Sequence, residues 1–94
     1  MAINRPRYGI PAVSRDDMAW AITNACLGDE NTYIAKRYYI DHVPQLDIAM
    51  EMEDIFGHTV DRSTVSKRLP AITNAILEQL SSRYPKMREH ITTT

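Results

Sequence analysis

The stretch Asp61-Arg62-Ser63-Thr64-Val65-Ser66-Lys67-Arg68-Leu69-Pro70-Ala71-Ile72-Thr73-Asn74-Ala75-Ile76-Leu77-Glu78-Gln79-Leu80 carries Val65, Leu69, Ile72, Ile76 and Leu80 at intervals of four, three, four and four residues. That spacing puts five apolar side chains along one side of an α-helix. Asp61 or Ser63 can cap its first amides. Pro70 lies inside the stripe, and an interior proline removes a backbone hydrogen bond and crowds the preceding turn. A kink or break near Leu69 is therefore expected, and the helix could be two.

Upstream, a polar turn containing Gly57 separates this helix from another. Pro44 suits its first turn, and Leu46, Ile48, Ala49, Met52, Ile55 and Phe56 give it an apolar side. Glu51, Glu53 and Asp54 are expected to face water, and Gly57 to close it. Before it, Asp29 or Asn31 can cap a helix running to about Asp41, with Ile34 and Tyr38 on one face. Tyr33, Tyr38 and Tyr39 read as core and rim residues rather than base-stacking ones.

The first helix is expected to begin at Ser14, with Asp16 and Asp17 at the positive end of its dipole. Met18, Ile22, Ala25 and Cys26 form its buried face, and Gly28 supplies a left-handed stop. Cys26 reads as a packing residue, and Trp20 as core or interface. Residues 1–13, with Arg5 and Arg7, read as a flexible basic arm, and residues 84–94 as a frayed tail. The fold expected is all-α: one domain over residues 1–94, a compact bundle of four to five helices containing a helix-turn-helix.

An apolar share of 44 % and a charged share of 24 % suit a soluble globular chain, and no segment has the apolar length of a membrane span. No secretory signal pattern follows the basic start, and Cys26 is a lone cysteine, so a cytoplasmic setting is expected. The net charge of −1 hides a strong asymmetry. Residues 1–28 sum to +1, residues 29–56 to −5 and residues 57–94 to +3.

The pair of helices around the glycine-containing turn decides the functional expectation. If Val65 and Leu69 point inward, then Ser63, Ser66 and Lys67 project outward, flanked by Arg62, Thr64 and Arg68. Short hydroxyl side chains let a helix approach the major groove, and Lys or Arg reaches phosphates or guanine edges. The helix N-terminus adds amides and a positive dipole toward a phosphate.

The segment from Ala35 to Ala49, with its Tyr38-Tyr39 pair and Gln45-Leu46-Asp47-Ile48-Ala49, followed by Asp61-Arg62-Ser63-Thr64-Val65-Ser66-Lys67-Arg68-Leu69, resembles region 4 of sigma-70-class factors. It also resembles related helix-turn-helix proteins of bacteriophages, including small transcriptional regulators and antitermination proteins. The likeness covers roughly residues 33–80. It implies that Gln45 starts the supporting helix near the DNA backbone, and that Arg62, Ser63, Thr64, Ser66, Lys67 and Arg68 contact DNA. Thirteen residues separate Ala49 from Ser63, more than that pattern has, so a longer supporting helix or an enlarged turn is expected.

A DNA-binding phage or prophage regulator is thus the leading expectation, with double-stranded DNA as partner. Homodimerisation could be carried by the apolar stripe through Ile72, Ile76, Leu77 and Leu80, which could equally be intrachain core. One alternative is a protein-interaction module whose acidic helix binds RNA polymerase or inhibits a host factor. Another is a recognition component of DNA packaging. No nucleophile elbow, phosphate-binding glycine loop or Cys/His pair is present, and His42, His58 and His90 are widely spaced. No enzyme activity, cofactor or metal is expected.

Overall fold

Ser14 opens the first helix as the sequence suggests, its hydroxyl accepting the Asp17 N–H at 3.1 Å. In the computed structural model, which describes Ile10 and residues 13–83, this helix is α1 (Arg15–Asn24). It is followed by α2 (Asp29–Ala35), which continues without a break into a π-helical segment (Lys36–Ile40). Then come α3 (Gln45–Phe56) and α4 (Arg62–Arg83). The architecture is all-α, and no strand occurs among the described residues.

The end of α1 differs from expectation. Cys26 takes the left-handed conformation (φ +53°) and is exposed, so the helix stops before Gly28 and Cys26 is not a packing residue. Met18, Ala21 and Ile22 form the buried face instead. Gly28 serves the next helix, standing at its N-cap with φ 86° and ψ 166°, a conformation open essentially to glycine alone. Asp29, expected as a cap, lies within the first turn of α2, where its charge still favours the dipole.

The π-helical segment explains the tyrosine-rich run. Asp41 N–H reaches back five residues to the Lys36 carbonyl at 3.1 Å. An α-helix turns about 100° per residue, spreading three successive side chains over more than half its circumference. The widened turn lets Tyr38, Tyr39 and Ile40 all enter the core. Tyr39, 1 % exposed, pairs its hydroxyl with that of buried Thr73 on α4 at 2.6 Å.

On α3, Ile48, Ala49 and Met52 are buried, whereas Leu46 and Ile55 are exposed rather than part of the apolar side. Pro44 stands just before the helix, and Gly57 closes it at φ +77°, its N–H donating to the Glu53 carbonyl at 3.1 Å. The turn 57–61 sends Val60 into the core. Ile10 and Val13, at the end of the expected arm, are also core residues. Arg5, Arg7, the tail 84–94 and His90 lie outside the described residues.

The long helix α4 packs against α1, α2 and α3. Its stripe Val65, Leu69, Ile72, Ile76 and Leu80 is completely buried, so it is intrachain core rather than a dimer contact. Pro70 neither breaks nor ends α4, which is continuous over 22 residues. It is exposed, and so is Ser66, whose carbonyl loses its helical donor to the proline; water can supply that bond.

Pro70→Ala restores that donor and removes the ring clash at an exposed site, against a smaller loss of unfolded-state restriction. The variant is expected to be more stable by about 1–2 kcal/mol, read as a higher urea midpoint at unchanged slope.

Candidate nucleic-acid interface

The beginning of α4 is built on Asp61. Its Oδ1 accepts the Thr64 N–H at 2.8 Å, the Ser63 hydroxyl at 2.8 Å and the Thr64 hydroxyl at 3.0 Å. These bonds, that of Ser63 first, hold its carboxyl below the usual range. Asp61, not Ser63, is therefore the cap. The hydroxyl protons of Ser63 and Thr64 are spent on it, so towards the outside these side chains keep only acceptor lone pairs.

Val65 and Leu69 are fully buried, and this orientation turns Arg62, Ser63, Ser66 and Lys67 to the surface. The four line an open depression of about 440 Å³. Arg62 also lines a second depression of about 280 Å³ with Tyr38, Pro44, Gln45 and Leu46. The N-terminal ends of α3 and α4 therefore open on a shared surface that carries Gln45, Arg62, Ser63, Ser66 and Lys67. No side chain caps α3, because Pro44 has no group to do so, which leaves its first amides open to an acceptor.

Arg68 is placed differently. Its Nη1 donates to Glu30 Oε1 of α2 at 2.8 Å, and Glu30 Oε2 lies 3.0 Å from His58 Nε2 in the turn. Half-buried Arg68 thus clamps α4 to α2 and lines neither depression. Glu30 and Arg68 stand 38 positions apart, so no local pattern announces the pair.

The acidic helix is also divided. Glu51, expected to face water, takes a bidentate bond from Arg37 at 2.9 and 2.8 Å and the Tyr33 hydroxyl at 2.6 Å. Arg37, more than Tyr33, holds the Glu51 carboxyl below its ordinary range, while burial, then Glu51, pushes the Tyr33 phenol up. Arg37 also reaches Asp41 at 3.1 Å, and Arg15 approaches Asp41 at 3.4 Å. Asp47, Glu53 and Asp54 remain exposed.

Among the described residues no three His, Cys, Asp or Glu side chains group to hold a metal ion. No described helix is long and apolar enough to cross a membrane.

The Glu30 cluster makes stability pH-dependent. Its carboxyl is held below the ordinary 4.5 by the hydrogen bonds of Arg68, then His58. The His58 imidazole is raised above 6.5, chiefly by its bond to Glu30. The His58 contribution is complete below 6.5 and is lost as pH rises through the raised value; the Glu30 contribution is present above 4.5 and is lost as pH falls through the lowered one. Urea midpoints of His58→Gln and the parent chain are therefore expected to differ most between pH 4.5 and 6.5 and to converge at higher pH. A pH-independent difference would show that His58 acts there without its charge.

No protein-family model matches the chain, and comparison with curated proteins and with solved structures returns no match.

Proposed function

We propose that the chain binds double-stranded DNA, with the first two turns of α4 in the major groove and the N-terminal end of α3 against the phosphate backbone. The observation that carries this reading is the gathering of Arg62, Ser63, Ser66 and Lys67 on one exposed face, with Val65 and Leu69 of the same two turns locked in the core. A face held from behind presents its side chains without having to order the helix first. Neither Arg62 nor Lys67 takes part in an ion pair among the described residues, so engaging a phosphate breaks none.

Each side chain has a distinct task in this reading. Arg62 and Lys67 supply charge to phosphates or guanine edges, while Ser63 and Ser66 keep the surface low enough for close approach. Gln45, across the shared surface from Arg62, places its amide and the open amides of α3 toward a phosphate. Arg68 and Thr64 act behind the face, the first tying α4 to α2 and the second joining the Asp61 cap. Asp47, in the first turn of α3, lines neither depression. What supports a helix-turn-helix reading is the order of α3, a short turn and α4, together with the resemblance to sigma-70 region 4 and to phage regulators that runs through these residues. A phage or prophage transcriptional regulator is the role that fits.

Fluorescence anisotropy with labelled random-sequence duplex over a salt series tests this. Arg62→Ala and Lys67→Ala are each expected to weaken binding across sequences and to lower the slope of log affinity against log salt by about 1. Arg68→Ala should instead lower the melting temperature and change that slope least. No binding by the folded parent chain at low salt would overturn the proposal.

A further inference from the structure

Among the described residues the exposed large apolar side chains are Leu46, Met50 and Ile55, at 56, 62 and 57 % exposure, and all three belong to α3. Helical spacing sets Leu46, Met50 and Asp54 in one row, with Asp47 beside them; Glu53 and Ile55 stand on the flanks. The helix has no Lys or Arg, and among the described residues its one carboxylate in an ion pair is Glu51. Asp47, Glu53 and Asp54 are exposed and form no ion pair among the described residues. Among the described residues, the outward side of α3 therefore combines exposed apolar surface with negative charge that no ion pair offsets.

We infer that this face docks a basic amphipathic helix of a partner protein, whose apolar row meets Leu46 and Met50 and whose Lys or Arg side chains meet Asp47, Glu53 and Asp54. Charge complementarity decides the occupant. DNA is repelled by the three carboxylates. A second copy pairing through the same face would, by two-fold symmetry, bring α3 against α3 and set carboxylates against carboxylates. A second copy offering its α4 surface would bring Arg62 and Lys67 but only serines between them, leaving Met50 uncovered. A basic helix with its own apolar row satisfies both features at once, in the manner of helix-in-groove recognition. The twelve residues of α3 span about 18 Å, so the matching segment is about three turns long. Such a contact falls below the roughly 800 Å² per partner of a standard interface, and the complex is expected to be reversible. This surface adjoins the depression shared by Gln45 and Arg62 at Leu46 and leaves the Ser66–Lys67 face clear, and its docking does not depend on the DNA reading.

The test is an NMR titration of the whole ¹⁵N-labelled chain with two synthetic helical peptides of about 18 residues that share a leucine row and carry Lys or Glu elsewhere. The Leu/Lys peptide is expected to shift saturably the amides of residues 46–55, and the Leu/Glu peptide to leave them unmoved. Met50→Ser and Asp47→Asn/Asp54→Asn, all at exposed positions, should each weaken the Leu/Lys peptide roughly fivefold or more while leaving the remaining spectrum in place. Equal responses to both peptides, shifts centred away from α3, or no saturable shift overturn the proposal. Sedimentation of the chain alone provides a separate check. A monomer supports an open face, whereas a dimer abolished by Met50→Ser assigns the face to a second copy and overturns the proposal.

Discussion

The burial of one side of α4 is the constraint on which the other helices depend. Val65, Leu69, Ile72, Ile76 and Leu80 have no exposed surface, and α1, α2 and α3 all pack against the helix that carries them. Rotating α4 by one residue position, about 100°, would expose the whole row, so its orientation is held by the hydrophobic effect. The Tyr39–Thr73 hydrogen bond sharpens this. It lies inside that packing, where either hydroxyl left alone would keep a buried, unsatisfied polar group. The surface disposition of Arg62, Ser66 and Lys67 follows from what lies behind them.

Around this axis the charged residues act mainly as fasteners. Glu51 joins α3 to Arg37 and Tyr33 of the preceding helix, and Glu30 joins α2 to Arg68 of α4 and to His58 of the turn. Arg15 and Arg37 share Asp41, and Arg83 lies 4.4 Å over the ring of Trp20. The cations of the described residues outside ion pairs and ring contacts are then Lys36, Arg62 and Lys67, two of which stand in the first two turns of α4. A net charge of −1 is therefore compatible with a local basic surface.

Periodicity made α3, α4 and the start of α1 legible, because each repeats apolar residues at helical intervals beside Ser14, Gly57 or Asp61. Short-range chemistry was less decisive where two readings compete. Cys26 and Gly28 can both take a left-handed conformation, and the chain uses Cys26 to stop α1 and Gly28 to start α2. The π-helical turn has no local signature in Lys36-Arg37-Tyr38-Tyr39-Ile40; it answers the tertiary demand that three neighbours be buried. The outward set Arg62, Ser63, Ser66 and Lys67 was readable because it is the complement of Val65 and Leu69. The engagement of Arg68 by Glu30 was not, since long-range ion pairs leave no trace in spacing.

Pro70 marks where α4 changes occupation. Before it, the outward residues are Arg62, Ser63, Ser66 and Lys67; after it they are Ala71, Asn74, Glu78, Ser82 and Arg83, with the one basic group at the far end of the helix over the Trp20 ring. In the proposed DNA-binding role only the first two turns need a surface suited to the groove, because recognition helices meet base edges mainly with their N-terminal residues. A proline at the end of that stretch loses a hydrogen bond on the water side, where solvent replaces it, and leaves Leu69 and Ile72 on either side still buried. The remainder of the helix is held by buried Ile72, Thr73, Ile76 and Leu80, with Leu77 packed against the same core and Arg83 over the Trp20 ring. The same helix can therefore present a short contact surface at one end and serve as the core of the bundle along its whole length, because the two tasks occupy opposite sides of one cylinder.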